Sequence, residues 1–281
     1  MDNRMSSTKA EHRIVIRPRP GWVAVNWQEL WESRELLMFL VWRDVTVRYK
    51  QTVLGVAWAV LQPVFSMVVF TIIFGNLAKM PSEGVPYPVF VYAGLLPWMF
   101  FSNAVLGASQ SLINQQALLT KIYLPRLFVP VSAIGGGLVD LAVSFAVFGV
   151  LMVVYGVVPS IGLLALPLLV ILAFISATGV GLVLAAVTVT YRDFRYVVPF
   201  MIQAWLYLSP VIYPVSIVPD RWRWVLALNP MTGVIEGFRA SLLGKEWNVQ
   251  SLAMACIVSV LLLVYGLFYF RKMERRFADV A

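Results

Sequence analysis

Long uncharged apolar runs, separated by short polar segments, make up most of this chain after its N-terminal region. No charged residue lies between Glu83 and Lys121, and none lies between Asp140 and Arg192. A helix needs about 20 mainly apolar residues to cross the hydrocarbon core of a bilayer. The pattern therefore predicts several membrane-spanning helices rather than the amphipathic elements of a soluble domain.

Six apolar runs have the length of a membrane crossing. We predict spans at about 53–74, 87–113, 127–157, 163–189, 197–217 and 249–270. Gly156 and Pro159 divide the uncharged run between the third and fourth spans, because glycine and proline favour turns. We expect Pro88 and Pro97 to bend or restart the second helix, since proline lacks the amide hydrogen that a helix interior uses.

Two further segments match neither a span nor an ordinary loop. Residues 27–42 place apolar side chains near helical spacing, which predicts an amphipathic helix in the membrane interface. These side chains are Trp27, Leu30, Trp31, Leu37, Met38 and Val41. Residues 219–247 mix tryptophan and aliphatic side chains with scattered charges. There we predict a re-entrant pair of short helices that dips into the outer leaflet and breaks near Asn229 and Pro230.

The composition agrees with a membrane protein. The 281 residues are 60% hydrophobic and 13% charged, and the mean hydropathy is +0.81, whereas soluble domains carry about 25% charged residues. The apolar segments follow one another too closely for two independent cores. We predict an all-α membrane protein with a cytoplasmic N-terminal segment at 1–50, one membrane domain at 51–281 and a cytoplasmic tail at 271–281.

The distribution of Lys and Arg predicts the orientation, because cytoplasmic loops carry an excess of these residues. With both termini in the cytoplasm, seventeen of the 22 basic residues fall on that side. The outer side then receives Lys79, Arg221, Arg223, Arg239 and Lys245. The basic residues lie between apolar runs rather than on one soluble face, so the net charge of +8 does not indicate nucleic acid binding.

Residue counts exclude several classes of chemistry. His12 is the only histidine and Cys256 the only cysteine, so the chain cannot build a zinc cluster, a Ser-His-Asp triad or a disulfide framework. The sequence contains no G-x-x-x-x-G-K-[ST] phosphate loop. We therefore expect a chain that is not an enzyme and holds no metal or cofactor.

A few charged residues at the membrane boundary are candidates for function. Asp140 is the one acidic residue deep in a predicted span, where a charge costs at least a few kcal/mol. It either hydrogen-bonds within the bundle or faces a wet conduit. Arg43, Arg48 and Lys50 precede the first span, where they either signal topology or capture an anion at the cytoplasmic mouth.

Other candidates lie in a loop and on the spans. Residues 114–125 predict a short cytoplasmic helix with Asn114 as its N-cap, and its apolar face leaves docking to a partner open. We expect Gly135, Gly136 and Gly137 to mark a close helix contact. Most of the aromatic residues suit interface belts or packing; four of them are candidates for a conduit that passes sugar rings, namely Trp58, Phe65, Tyr92 and Trp98.

Five motifs in order resemble one family. They are RDVTVRYKQTVLGVAWAVLQP at 43–63, LLTKIYLPR at 118–126, YRDFR at 191–195, SPVIYP at 209–214 and LNPM at 228–231. Together they look like the type-2 ATP-binding-cassette exporter permeases that move lipid-linked polysaccharides such as O-antigen, capsule or teichoic acid. The resemblance covers about residues 27–276.

The resemblance implies a homodimer in the bacterial inner membrane, with two separate nucleotide-binding subunits that hold ATP and Mg. It implies an undecaprenyl-diphosphate-type glycan substrate and a conduit along the dimer interface, among membrane lipids. It assigns ATPase coupling to the loop helix with Asn114, Leu118, Leu119, Lys121, Ile122 and Tyr123. By the same resemblance the outer gate contains Asn229, Pro230 and Glu236.

Two other classes of transporter remain open from the sequence. An exporter of drugs or other small amphiphiles would share the six-span plan. A stand-alone secondary transporter would show inverted repeats and intramembrane ion sites, whereas the sequence has one buried carboxylate and no clear repeat. The ability of the isolated chain to transport without ATP would separate the second alternative from an ATP-driven exporter.

Overall fold

The computed structural model describes residues 27–50, 57–121 and 124–274, and over these ranges the chain is helical, without β-strands. The α-helices are α1 (Trp27–Glu32), α2 (Arg34–Lys50), α3 (Ala57–Phe70), α4 (Tyr87–Asn114), α5 (Gln116–Lys121), α6 (Phe128–Tyr155), α7 (Leu166–Thr190), α8 (Phe194–Leu208), α9 (Asp220–Ala227), α10 (Pro230–Leu243) and α11 (Val249–Glu274). A π-helical segment, Thr71–Leu77, extends α3, and a 3₁₀ turn, Ile161–Ala165, leads into α7.

Five helical segments in the described residues are long and apolar enough to cross a membrane. They are Ala57–Leu77, Tyr87–Asn114, Phe128–Tyr155, Ile161–Thr190 and Val249–Glu274. They correspond to five of the six predicted spans. The remaining predicted span, at 197–217, falls on α8, which has 15 residues and ends at Leu208. At about 1.5 Å per residue such a helix is shorter than the hydrocarbon core, so the sixth crossing stays a prediction.

Turn residues account for several helix ends. Gly156 and Gly244 follow α6 and α10 with φ of 65° and 66°, a left-handed conformation that glycine adopts without strain. Pro86 and Pro88 flank the start of α4, where a missing amide hydrogen costs nothing. Pro97 lies inside α4, which continues through it to Asn114.

Helix α4 is the centre of the bundle. In the most apolar stretch of α4, 78% of the residues are buried. In the corresponding stretch of the first span, Ala57–Leu77, the share is 11%. It packs against α6, α7 and α10, and its side chains form the middle of the main apolar cluster. Both spans are uncharged and mainly apolar in sequence. Their different burial follows from their neighbours.

Small residues let the backbones of α7 and α11 contact each other where the two helices cross. A Cβ added at Gly179 would lie 2.6 Å from the backbone of Leu262, and one added at Gly266 would lie 2.5 Å from the carbonyl oxygen of Gly179. The buried hydroxyls of Ser176 and Ser259 share a hydrogen bond of 2.6 Å at the same crossing. Close packing of this kind replaces the hydrophobic effect, which is weak between helices in lipid.

The predicted interface helix at 27–42 corresponds to α1 and α2, which break near Ser33 and continue to Lys50. The apolar residues of α2 occupy two faces: Leu40 is buried, whereas Met38 and Trp42 are exposed. The predicted glycine contact is confirmed, because a Cβ at Gly135 of α6 would lie 3.0 Å from Val41 of α2. The position of α2 in the membrane interface stays a prediction.

The predicted re-entrant region at 219–247 contains two short helices, α9 and α10, with the break at Leu228 and Asn229. Nearly every residue of α10 is buried against α4, α7 and α11. Close packing again involves a glycine, since a Cβ at Gly233 would lie 2.3 Å from the carbonyl oxygen of Ser251. Whether this pair dips into the outer leaflet stays a prediction.

Candidate functional site

A cavity of about 450 Å³ lies between the C-terminal end of α2 and helices α3, α4 and α6. Its lining combines amides, a charged pair and aromatic rings with aliphatic side chains. The lining residues that carry polar groups are Arg48, Tyr49, Trp58, Gln62, Asn103, Gln110, Asn114, Asp140 and Ser144. This is a polar recess among helices that are otherwise apolar.

One face of α4 supplies most of the polar wall. Asn103, Gln110 and Asn114 are separated by seven and four residues, which places them on the same side of the helix. Gln62 of α3 lines the same cavity. Within the part of the chain that the structure describes, none of these four amide groups forms a hydrogen bond with another residue. Their donors and acceptors are therefore available to water or to a ligand.

Asp140 lies at the edge of the cavity and has two partners from α2. Its carboxylate accepts hydrogen bonds from the Arg48 guanidinium and from the Tyr49 hydroxyl. Burial, together with the neighbouring Asp140 carboxylate, raises the pKa of the Tyr49 phenol, so this hydroxyl stays protonated and donates. Of the two predicted roles for Asp140, the structure shows the hydrogen-bonded one, with partners that precede the first span.

A second cluster of polar side chains links α2 to the residue that precedes α5. Arg43 Nη2 donates to Asp44 Oδ1 and to Gln115 Oε1, both at 2.7 Å. Asp44 Oδ2 accepts from the Ser132 hydroxyl of α6 at 3.0 Å. Helix α2 is thus linked both to the residue that joins α4 to α5 and to the helix that carries Asp140.

Of the three predicted anion-capture residues, Arg48 lines the cavity, and both Arg43 and Arg48 already have hydrogen-bond partners. Arg43 contacts Asp44 and Gln115, and Arg48 contacts Asp140. Lys50 is exposed at the end of α2. An incoming anion would therefore have to compete with Asp140 for Arg48, a condition that the sequence did not predict.

The predicted coupling residues divide between two helices. The predicted N-cap at Asn114 is wrong: Asn114 is the last residue of α4 and lines the cavity, because the α4 hydrogen-bond ladder continues to Gln115. Leu118 and Lys121 belong to α5, with Lys121 exposed, and Leu119 belongs to the same helix. Ile122 and Tyr123 lie outside the described residues. The coupling role itself stays a prediction.

The four candidate conduit aromatics differ in their surroundings. Trp58 lines the cavity, and both Trp58 and Phe65 of α3 are exposed. Tyr92 is fully buried and stacks on Phe148 with 6.0 Å between ring centroids. Trp98 is buried as well. In this conformation only the two α3 residues have rings that a passing chain could touch.

The predicted outer-gate residues lie at the start of α10, with Asn229 and Pro230, and in its middle, with Glu236. Asn229 caps this helix, its Oδ1 accepting from the Met231 amide at 3.1 Å, and its Nδ2 donates to the Ser209 hydroxyl at 2.8 Å. Pro230 occupies the first turn, and Glu236 accepts from Asn248 at 3.3 Å. Two of the predicted family motifs, at 209–214 and 228–231, are therefore in direct contact.

Arg239 is a structural residue that the sequence analysis counted only as an outer-side charge. The residue is 4% exposed, and its guanidinium donates to the carbonyl oxygens of Pro210 at 2.7 Å and Val211 at 2.6 Å. It also lies 3.7 Å from the centroid of the Phe90 ring. Arg239 thus fastens the segment after α8 to α4, and only the three-dimensional contacts distinguish it from the exposed arginines of α9.

The comparisons with known proteins agree on one family. A family model described as ABC-2 type transporter matches residues 35–243. The O-antigen export system permease protein RfbA of Myxococcus xanthus is 30% identical over 90% of this chain and 97% of that protein. A Klebsiella pneumoniae protein of the same name is 26% identical over 88% of this chain and 95% of its own length. The polysialic acid transport protein KpsM of Escherichia coli is 25% identical over 83% of this chain and 91% of its own length.

Proposed function

Because this chain belongs to the ABC-2 type transporter family, we propose that it is the membrane-spanning subunit of an ATP-driven exporter that moves a lipid-linked polysaccharide, of the undecaprenyl-diphosphate type, across the bacterial inner membrane. The relatives named for O-antigen export and polysialic acid transport support the class of substrate. The chain is a transport subunit rather than an enzyme, and ATP and Mg belong to a separate nucleotide-binding subunit.

The observation that carries this proposal is the polar cavity. Amides and a charged pair between apolar membrane helices cost free energy unless they face water or a polar ligand. Four unpaired amides, a tryptophan and an ion pair in one recess therefore favour a hydrophilic substrate over an apolar one. A carbohydrate has the alternating donors, acceptors and flat apolar faces that such a lining complements.

The assembly that we propose is a homodimer with two copies of the ATPase. Helix α3 exposes both Phe65 and the cavity-lining Trp58, so a second copy that packs against this helix would enclose a conduit. Arg43, Arg48 and Lys50 would meet the diphosphate head at the cytoplasmic mouth, since guanidinium groups bind phosphate oxygens in pairs. A charge at one end of the substrate then meets cations at one end of the path.

We propose that α5 docks onto the ATPase subunit, with its exposed Lys121 as a contact. Lys121→Glu should reduce co-purification of the ATPase several-fold while the amount of this protein in the membrane stays unchanged. The matched control is Lys79→Glu, an exposed lysine on the predicted outer side. Equal loss of the ATPase in both variants would contradict the docking role.

The experiment that tests the proposed function is depletion of this protein in its host. Surface polysaccharide and the lipid-diphosphate-linked polysaccharide retained at the cytoplasmic side are measured in parallel. Loss at the surface with accumulation inside is the expected outcome. If both pools stay unchanged, the polysaccharide proposal is rejected and a smaller amphiphilic substrate becomes the leading candidate.

A further inference from the structure

We propose that the amide-lined wall of the cavity, formed by Gln62, Asn103, Gln110 and Asn114, is a binding track for uncharged, hydroxyl-rich glycan segments and disfavours polyanionic ones. The proposal rests on the proposed function and concerns the class of glycan. The relatives do not decide this point, since their names include both O-antigen export and polysialic acid transport.

The track has the chemistry of a neutral sugar site. Each amide offers a carbonyl acceptor and two N–H donors, and sugar hydroxyls both donate and accept. None of the four amides is hydrogen-bonded to another residue in the described part of the chain, so binding a hydroxyl breaks no internal bond. Trp58 beside them offers a flat face for a sugar ring.

The track is also long enough for a chain rather than a single ring. Asn103 and Asn114 are separated by about 16 Å along α4, at about 1.5 Å per residue. Gln62 of α3 lines the same cavity and adds a further amide to the wall. The geometry therefore suits several consecutive sugar rings that lie along α4.

The electrostatics of the cavity disfavour a polyanion. Among the described residues its lining carries one cation and one anion, Arg48 and Asp140, and these two form an ion pair with each other. Pores that conduct anions use rings of Arg or Lys, and each unpaired charge moved into a low-dielectric passage is costly. A diphosphate bears this cost once, at one end, whereas a polyanion bears it at every repeat.

Binding measurements on the full-length protein in lipid nanodiscs test the track. The probes are a neutral mannose oligosaccharide and an oligosialic acid of the same number of residues, titrated at the same ionic strength. We expect the neutral probe to bind at least about ten-fold more tightly. The double variant Asn103→Leu and Gln110→Leu should weaken binding of the neutral probe about ten-fold, because it removes two hydrogen-bonding groups. The control Gln250→Leu, at an exposed amide on α11 outside the cavity, should leave binding unchanged.

A gain-of-function variant keeps the proposal falsifiable even if the double variant folds poorly. Gln110→Arg introduces an unpaired cation into the track and should shift the preference toward oligosialic acid. Oligosialic acid binding as tight as that of the neutral probe in the unaltered protein would overturn the proposal, and so would a Gln110→Arg variant with unchanged preference.

Export in the depleted host separates this proposal from the proposed function. If the unaltered gene restores surface polysaccharide and the double variant does so fully, the track is rejected while polysaccharide export stands. If depletion leaves surface polysaccharide unchanged, the proposed function is rejected, and the track proposal, which rests on it, is rejected with it. Reduced export by the double variant, with normal export by Gln250→Leu, supports both.

Discussion

At the scale of single residues, the structure gives partners to charges that the sequence left unexplained. Asp140 is the one carboxylate within the predicted spans, and its partners Arg48 and Tyr49 come from a helix 91 residues or more away in sequence. Arg239 forms no ion pair within the described residues and donates to backbone carbonyl oxygens instead. In both cases the cost of a charge among apolar helices is offset by hydrogen bonds from distant segments.

The first prediction concerns the pair of Arg48 and Asp140. Arg48→Gln and Asp140→Asn should each lower the thermal stability of the purified protein, because each removes the opposite charge of the ion pair. The double variant should lose less than the sum of the singles, with a coupling energy of about 1 kcal/mol for a partly exposed pair. Combining Arg48→Gln with Asp193→Asn, at an exposed aspartate between α7 and α8, provides the additive control. Additivity in both combinations would show that the pair contributes nothing.

The second prediction concerns Arg239. Arg239→Ala should destabilise the protein by about 3 kcal/mol or more, since it leaves the buried carbonyl oxygens of Pro210 and Val211 without donors. Arg239→Lys should rescue only part of this loss, because a lysine cannot reproduce the planar fork. Thermal unfolding in nanodiscs measures both, with Arg221→Ala on exposed α9 as the control. A stable Arg239→Ala protein would contradict the fastening role.

At the scale of helices, packing depends on where two backbones can approach. Helices α6, α7 and α11 are apolar over most of their length and each contains at least one glycine, so no apolar stripe indicates their contact faces. The contacts of Gly179 and Gly266 define the crossing of α7 with α11, whereas Gly149 of α6 has open space around its missing side chain. The same residue type thus has different consequences on different helices.

The third prediction compares these glycines. Gly179→Ala should destabilise the protein by about 2 kcal/mol or more, because its Cβ would overlap the backbone of Leu262. Gly149→Ala should be neutral or stabilising by up to about 1 kcal/mol, since alanine favours a helix more than glycine does. Thermal unfolding of the two variants under the same conditions provides the comparison. If both changes have the same effect, the crossing does not depend on backbone contact.

At the scale of the whole molecule, the number of crossings depends on α8. Cytoplasmic locations for both termini require an even number of crossings, and the described residues contain five helical segments of crossing length. Helix α8 is too short to cross alone, but the chain continues through residues 209–217, which include the short 3₁₀ helix Val215–Ile217. Six crossings therefore require α8 and the segment after it to cross together.

The fourth prediction tests this arrangement by cysteine labelling. Cys256→Ala removes the one native thiol, and single cysteines then replace Asp193, before α8, or Asp220, at the start of α9. With six crossings, a membrane-impermeant maleimide should label the cysteine at 220 from outside and the one at 193 only after permeabilisation. Labelling of both from the same side would reject the sixth crossing.

The sequence by itself determined the membrane class, the positions of five long apolar helices, the break near Asn229 and the family, because hydrophobic length and local turn chemistry are properties of contiguous residues. It also contains a signal for the cavity, namely amides at positions 103, 110 and 114 of an uncharged run. Only the tertiary structure decided which helix is central, which residues pair with Asp140 and Arg239, and that Asn114 ends α4 rather than capping α5. These outcomes depend on contacts between segments far apart in sequence, and uniformly apolar helices carry no stripe that would encode their neighbours.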